Sequence, residues 1–228
     1  MNENEFTSAF MGHFFTDGTN ASEVRSDVAQ ALNKYFGPSV KRYSGSQFED
    51  LITDSDPFSL SAQDLIAVTT LSVSIPARAA IWILSEDGCN RISSILKEIP
   101  MGRDIWDPDV QDVFLNDGPV MELWRTLGNA NWPVSKAGGG LGGFTKRSKI
   151  LASKRPRLIP ILDRVVRGSL PETKNTWISI QRVLRNDFYR TRLEKALENQ
   201  NVSENVSLLR RIDAVIWINN EKKFRRGR

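Results

Sequence analysis

Apolar residues recur every three or four positions along most of this chain, and stretches in which apolar and polar residues alternate are few. Spacing of three and four places side chains on one face of an α-helix, whereas alternation is typical of a half-buried strand. Residues 22–36 illustrate the helical spacing, and Gly37-Pro38 ends that stretch. Its apolar stripe comprises Val24, Val28, Ala31, Leu32 and Tyr35. We therefore predict an all-α fold.

Capping residues predict where several helices begin. Ser61, with Asp64 three residues later, is expected to cap a helix, and Thr145 to cap another that ends near Ser153. Ser203 is expected to cap the last helix. Two further segments are harder to place. Residues 110–127 are predicted to be helical in two pieces divided at Gly118-Pro119, and residues 39–60 to contain a short strand or a loop.

The length of 228 residues fits one large domain or two smaller lobes. We expect one unit of two helical lobes around a cleft. In this interpretation, residues 1–60 and 170–228 pack around residues 61–169.

The chain contains one cysteine, Cys89, and one histidine, His13. An internal disulfide is therefore impossible, and so are four-cysteine zinc or iron–sulfur sites and centres with several histidine ligands. We expect no metal ion as a cofactor. The lack of disulfides favours a reducing compartment. Chemistry is expected to depend on carboxylates, lysines, hydroxyls or backbone groups.

The N-terminal residues resemble no signal peptide, and no run of about 18 apolar residues is present. We therefore expect a cytoplasmic protein that does not enter a membrane. We also expect it to be a monomer.

Positive charge is concentrated in two places. Residues 144–167 contain a single acid, Asp163, and the last seven residues, 222–228, form a second basic block. The first block indicates a polyanion partner, and the alternative is a solvated face. The second is better explained as a solvated tail. The cations of the first block are Lys146, Arg147, Lys149, Lys154, Arg155, Arg157, Arg164 and Arg167.

A glycine-rich turn lies at the start of the first basic block. Gly140-Leu141-Gly142-Gly143 precedes Phe144 and Thr145, and a helix is expected to follow. Small residues allow a phosphate to approach the backbone N–H groups, and the dipole of the following helix favours an anion. Such a turn grips a nucleic-acid backbone without reading its sequence.

Asp163 follows Thr145 by 18 residues, in Pro160-Ile161-Leu162-Asp163. Neighbouring cations and the expected start of a helix both favour an ionised carboxylate. Such a group can stabilise an oxocarbenium-like transition state or orient a water. Turn and carboxylate together suggest cleavage of an N-glycosidic bond in DNA.

These motifs resemble the helix-hairpin-helix DNA glycosylase superfamily, most closely its adenine-type members. The resemblance covers residues 138–168. It implies a glycosylase-like fold that forms a single catalytic unit, with a DNA-binding cleft between the two helical lobes. It departs from the family pattern at Lys146, where a small residue is usual, and at Gly139, which replaces the proline that begins the hairpin. The iron–sulfur cluster of many members cannot form here, but a monovalent cation could bind at the hairpin.

The resemblance implies roles for individual residues. Asp163 matches the catalytic aspartate. Phe144 stands where bifunctional members carry their Schiff-base lysine, which implies a monofunctional enzyme that uses water. Lys149 or Lys146 acting as a lyase amine is the alternative. The residues expected to bind double-stranded DNA are Gly140, Gly142, Gly143, Thr145, Lys146, Arg147, Lys154 and Arg155.

A glycosylase must also flip its target base out of the helix. Phe144, Trp132 and Asn131 are candidates for the base pocket or wedge. The base itself is not readable from the sequence, and a damaged base and a hypermodified phage base, removed in antiviral defence, are both open. Two other functions remain. One is a helix-hairpin-helix protein that binds nucleic acid without catalysis, and the other is a helical protein-interaction module.

Overall fold

The computed structural model describes residues 2–17, 23–38, 43–130 and 140–225. Within these ranges the secondary structure is helical, apart from one isolated β-bridge between Phe15 and Val24. The predicted all-α class is confirmed. None of the helices in the described ranges combines the length and apolar character needed to cross a bilayer.

The chain divides into two compact units. Unit 1 comprises Met1–Tyr43 and Leu162–Arg228, and unit 2 comprises Ser44–Ile161. The helices of unit 1 are α1 Glu3–Met11, α2 Ser26–Phe36, α9 Arg164–Ser169, α10 Thr176–Arg185, α11 Asp187–Ala196 and α12 Leu208–Arg225. The helices of unit 2 are α3 Phe48–Ile52, α4 Ala62–Thr70, α5 Ala77–Leu84, α6 Glu86–Leu96, α7 Pro119–Gly128 and α8 Phe144–Lys154.

Unit 1 is organised around α12, which packs against α2 and α9, while α10 packs against α11 and α1. Its core is rich in aromatic rings. Tyr35 and Tyr43 stack with their ring centroids 5.3 Å apart, and the Trp217 ring meets both edge-on. Arg210 lies over the Tyr35 ring and pairs with Asp213 inside the unit. Edge-on and stacked rings are favoured contacts that add to the hydrophobic burial.

Unit 2 is built outward from α8, which packs against α4 on one side and α7 on another. The helix α3 packs against α4, and the chain continues through α5 and α6 to α7 as successive neighbours. Large apolar side chains fill the space among these helices. Those that are fully buried include Phe48, Ile83, Ile92, Ile95 and Phe114.

The Ser61 cap is confirmed. The Ser61 hydroxyl accepts from the Asp64 backbone N–H, and the Asp64 carboxylate accepts from the Ser61 N–H at 2.7 Å. The predicted end of α2 at Gly37 is also confirmed, because the Gly37 N–H bonds to the Asn33 carbonyl.

The structure corrects two other boundaries. Thr145 lies inside α8, which begins at Phe144 after a backbone turn at Gly143, so its hydroxyl is not the cap. Ser203 lies five residues before α12, and Ser207 accepts from the Arg210 N–H instead. A backbone turn at Gly143 therefore begins α8, whereas a different serine, Ser207, caps α12.

Two segments also differ from prediction. Residues 111–118 form turns and bends instead of a helix, in which Val113 and Phe114 are both buried and Gly118 is extended. The 39–60 segment, predicted as a strand or loop, contains a 3-10 turn over Ser44–Gln47 followed by α3.

Candidate nucleic-acid turn and carboxylate

A tight turn at Gly140–Gly143 precedes α8 and closes against the end of α7. The Leu141 side chain is fully buried, and its N–H donates to the Leu127 carbonyl at 3.2 Å. Gly140 lies so close to Gly128 that an added Cβ would be 1.7 Å from the Gly128 carbonyl oxygen. The buried leucine and the close backbone contact therefore fix this turn to α7.

Gly142 and Gly143 complete the turn with backbone angles that L side chains rarely adopt. Their φ values are +57° and +59°, and no side chain caps the helix that Gly143 begins. The first turn of α8 contains no acid. Because the first N–H groups of a helix lack intrahelical partners, this end of α8 has the positive polarity that suits an anion.

Arg147 and Phe144, both on α8, pack against Trp124 of α7. The Arg147 guanidinium carbon lies 4.3 Å from a Trp124 ring centroid, and Nη1 donates to the Trp124 carbonyl at 3.2 Å. The Phe144 and Trp124 rings are 4.5 Å apart. Burial lowers the pKa of Arg147 from its ordinary value. Phe144 and Arg147 therefore contribute to the helix packing behind the turn.

Lys149 is enclosed within unit 2, with 4% of its surface exposed. Its Nζ donates to the Leu71 carbonyl at 2.6 Å, at the end of α4. The neighbouring residue, Ser72, adopts a left-handed φ of 60°. A lyase amine must reach the sugar of the DNA, so this placement argues against the predicted role of Lys149 as a nucleophile.

Lys154 and Arg155 are buried as well, which contradicts their predicted contact with DNA. Lys154 pairs with Asp64 and donates to the Asp56 carbonyl at 2.9 Å. Burial lowers the pKa of Lys154, and its bond to Asp64 opposes that effect. These long side chains extend into the unit because α8 is covered on more than one face.

The Arg155 guanidinium is surrounded by backbone carbonyls. It donates to Leu96 at 2.6 Å and to Pro57 at 2.8 Å, and Ile99 accepts two further bonds. Leu96 is the last residue of α6, so Arg155 satisfies acceptors that the helix end leaves open. Burial lowers the pKa of Arg155 too. Three of the eight cations in the sequence stretch that indicated a basic surface are thus internal, whereas Arg157, Arg164 and Arg167 are exposed.

Asp163 caps α9 and is half-buried. One carboxylate oxygen, Oδ1, accepts from the N–H groups of Val165 at 2.8 Å and Val166 at 2.9 Å. The predicted position of Asp163 at the start of a helix is therefore confirmed. Two hydrogen bonds and the positive end of α9 hold this carboxylate in one orientation.

The remaining candidates have simple placements. Thr145 and Lys146 are half-buried in the first turn of α8. Asn131 and Trp132, proposed for the base pocket, lie outside the described residues. In the described part of the chain, no three His, Cys, Asp or Glu side chains are grouped to hold a metal ion.

Comparison with known proteins places the chain in a family. Residues 28–220, most of the chain, match DUF6308, which is described as a family of unknown function. The protein is a member of the DUF6308 family. No curated protein and no solved structure matches it.

Charge is unevenly divided between the two units of this DUF6308 protein. Unit 1 carries 19 Lys and Arg residues against 13 Asp and Glu residues, a formal net charge of +6. Unit 2, which contains the glycine turn, carries 12 against 14, a net charge of −2. The net positive charge of the whole chain, +4, therefore resides in unit 1.

Sequence reasoning missed an aromatic and arginine-rich surface on α11 of this DUF6308 protein. Phe188 is 54% exposed there, with Arg192 over its ring. Residues 182–195 contain five cations and two acids, with Phe188 and Tyr189 between them. That interleaving of aromatic and basic residues is the feature that could have identified the surface.

Proposed function

We propose that this protein is a DNA glycosylase of the helix-hairpin-helix type. It binds double-stranded DNA and hydrolyses the N-glycosidic bond of a damaged or modified base, leaving an abasic site. A glycosylase-like architecture with a DNA-binding cleft is part of the same proposal. The observation that carries it is the turn at Gly140–Gly143, with Leu141 buried and two left-handed glycines at the start of α8.

The turn supports phosphate binding for two reasons. No atom of the described residues lies within 4 Å of a Cβ added at Gly143, so nothing in the described part of the chain obstructs a close approach to the backbone there. The helix that follows has a positive N-terminal end, no acid in its first turn and Lys146 in that turn. A phosphate bound there would position the duplex without selecting its sequence.

Asp163 supplies the carboxylate that the chemistry requires. As the bond between the sugar and the base breaks, the base leaves with the electron pair and positive charge develops on the sugar. A fixed carboxylate stabilises that charge and can orient the water that adds to C1′. The proton that this water loses neutralises the departed base. The two N–H bonds to Oδ1 fix the Asp163 side chain before substrate binds.

Hydrolysis is favoured over lyase chemistry. Lys149 and Lys154 are both buried and bonded inside unit 2, and Phe144 packs against Trp124. Of the lysines in α8, Lys146 is the one that is half-buried at the turn. A monofunctional enzyme is therefore proposed, with water rather than an amine as the attacking group.

The test compares wild-type protein with Asp163→Asn. Asparagine is a sound replacement because Asn175 caps α10 in the same way, accepting from the N–H groups of Trp177 and Ile178. The variant thus removes the charge and keeps the cap. Asp87→Asn is the matched control, because Asp87 is an exposed carboxylate in the first turn of α6.

Both variants are incubated with genomic DNAs that carry different modifications, phage DNAs included, and abasic sites are counted. We expect abasic sites with wild type and Asp87→Asn, and a loss of at least 100-fold with Asp163→Asn. DNA affinity should change little. Loss of DNA binding by Asp163→Asn, instead of loss of base release, would contradict the catalytic assignment. Strand cleavage without alkali, together with a covalent protein–DNA adduct after borohydride reduction of a Schiff base, would indicate a lysine nucleophile instead.

The cap geometry also favours a second candidate, a helix-hairpin-helix protein that binds DNA without catalysis. Asp163 accepts the same two kinds of N–H bond as Asn175, which carries no charge. A purely structural cap would show the same contacts. Intact DNA binding with no abasic sites on any DNA, for wild type and variant alike, would select this function.

A further inference from the structure

Phe188 is an aromatic side chain that unit 1 holds out toward solvent. It is the second residue of α11 and is 54% exposed. The Asn186 side chain caps this helix by accepting the Phe188 N–H at 3.0 Å. A side chain on a capped first turn has a fixed point of attachment, so the ring is presented by a rigid element.

Other planar groups adjoin the Phe188 ring. The Tyr189 ring lies 5.5 Å away and nearly perpendicular to it. The Arg192 guanidinium lies 5.6 Å from the Phe188 centroid and 4.8 Å from the centroid of buried Phe15. Contact with Phe15 and Phe188 restricts Arg192. The result is a surface of flat groups, which we call the α11 surface, formed by Phe188, Tyr189 and Arg192.

The α11 surface belongs to a cationic stretch of sequence within a cationic unit. Residues 182–195 carry five cations and two acids, and unit 1 as a whole is +6. Arg182, whose side chain is 59% exposed, lies 3.8 Å from Glu3, which is similarly exposed. An ion pair this exposed to solvent contributes little to stability. Both acids of the segment, Asp187 and Glu194, lie within ion-pair distance of Arg190.

We infer that the α11 surface binds a nucleic-acid strand, with a base stacked on Phe188 and phosphates near Arg182 and Arg192. Single exposed apolar residues are normal and need no ligand. Here the exposed ring is combined with arginine and excess positive charge. Stacking platforms beside cations are the means by which proteins hold single strands without reading sequence. A protein partner would need an acidic apolar surface, and is an outcome of the test.

This inference takes its ligand, nucleic acid, from the proposed function, but it requires neither Asp163 nor base release. A strand displaced from a duplex during base flipping is one substrate for such a surface. Free single strands are another. The experiment therefore uses a single strand and a duplex of the same sequence, each with 5-iodouracil in place of thymine.

Full-length protein is irradiated with each DNA, and the crosslinked peptides are identified by mass spectrometry. We expect crosslinks at Phe188 or Tyr189. Phe188→Ala should weaken binding about 5- to 100-fold, the loss typical of one stacked base. The slope of log affinity against log salt should not change, because the phosphate contacts remain. Arg182→Gln should instead reduce that slope by about one.

Two controls separate stacking from a general loss of structure. Phe188→Tyr keeps an aromatic face and should retain affinity. Ile81→Ala removes an equally exposed apolar side chain, 51% exposed on α5 of unit 2, and should not alter binding. All variants are compared by thermal unfolding.

Unchanged affinity of Phe188→Ala, or crosslinks confined to other peptides, would overturn the inference. Failure of the wild-type protein to bind either DNA would also overturn it. In that case, capture of an acidic protein that depends on Phe188 would identify a protein interface. Crosslinks at Phe188 without base release from any DNA would leave the α11 surface standing while the glycosylase proposal fails. Base release by Phe188→Ala protein whose DNA affinity is unchanged would support the glycosylase proposal and overturn the role of the α11 surface.

Discussion

Lys154 and Asp64 form an ion pair in which each side chain is 1% exposed, with Nζ 2.6 Å from Oδ1. The pair joins the C-terminal end of α8 to the N-terminal turn of α4, where Ser61 binds the other carboxylate oxygen. At the opposite end of α4, Lys149 donates to the Leu71 carbonyl. Two lysines of α8 thus bind the two ends of α4, with a carboxylate at its start and a carbonyl at its end.

Breaking the Lys154–Asp64 pair should destabilise the protein strongly. Lys154→Met leaves Asp64 buried without its counter-charge, which typically costs about 3–5 kcal/mol. Lys97→Met, which changes an exposed lysine of unit 2, should alter the free energy of unfolding by less than about 0.5 kcal/mol. Urea unfolding of the two variants measures the difference. Equal stability of both variants would mean that the buried pair contributes nothing net.

The lysines of α8 should differ sharply in chemical reactivity. Lys149 and Lys154 are buried and hydrogen-bonded, whereas Lys146 is half-buried in the first turn. In native protein, an acetylating reagent should therefore modify Lys146 first, and the other two only as the protein unfolds. Mass spectrometry over time measures this, and urea-denatured protein is the reference. Rapid native labelling of Lys149 would reopen its role as an amine nucleophile.

Two glycines of the turn should respond differently to alanine. Gly143→Ala meets no atom of residues 43–130 or 140–225, but must occupy φ +59° and ψ 141°, a region adopted almost only by glycine, at a cost of about 1–3 kcal/mol. Gly140→Ala would place Cβ 1.7 Å from the Gly128 carbonyl oxygen, so the backbone itself must move. We expect the larger loss of stability at Gly140. A larger loss at Gly143 in urea unfolding would contradict this close contact.

The stability of the protein should depend on pH through His13. Its Nε2 donates to the Ser169 carbonyl at 3.0 Å, and burial lowers its pKa from the ordinary value of 6.5 despite that bond. The nearby charges of Arg25 and Lys223 lower the pKa further. The unfolded chain therefore binds a proton more readily than the folded one. Stability is full above about pH 6.5 and is lost as pH falls toward the folded pKa.

His13→Gln isolates this effect, because glutamine can still donate to Ser169 and does not titrate. His13 is the one histidine of the chain, so no other imidazole complicates the comparison. Thermal unfolding midpoints between pH 5 and 7 should fall with pH in wild type and fall less steeply in the variant. Parallel curves for the two proteins would show that carboxylates, not His13, dominate this range.

Local features of the structure were predictable because short-range physics sets them. The spacing of apolar residues predicted the helices, and the Ser61–Asp64 box and Gly37 each fixed a boundary from residues a few positions apart. The placement of Asp163 at a helix start was likewise a matter of neighbouring residues. The helix starts predicted at Thr145 and Ser203 were wrong because residues able to cap a helix are common in any sequence. Whether the backbone turns at such a residue depends on contacts with distant parts of the chain.

The sequence by itself determined the helical class, the caps at Ser61 and Asp163, and a run of cations beside a glycine turn. Only the tertiary structure decided where those cations point. The packing of α8 against α4 and α7 enclosed Lys149, Lys154 and Arg155, while α11 left Phe188 exposed. The physical reason is that a charge is buried or exposed according to which distant carbonyls and carboxylates surround it, and sequence spacing records none of those partners.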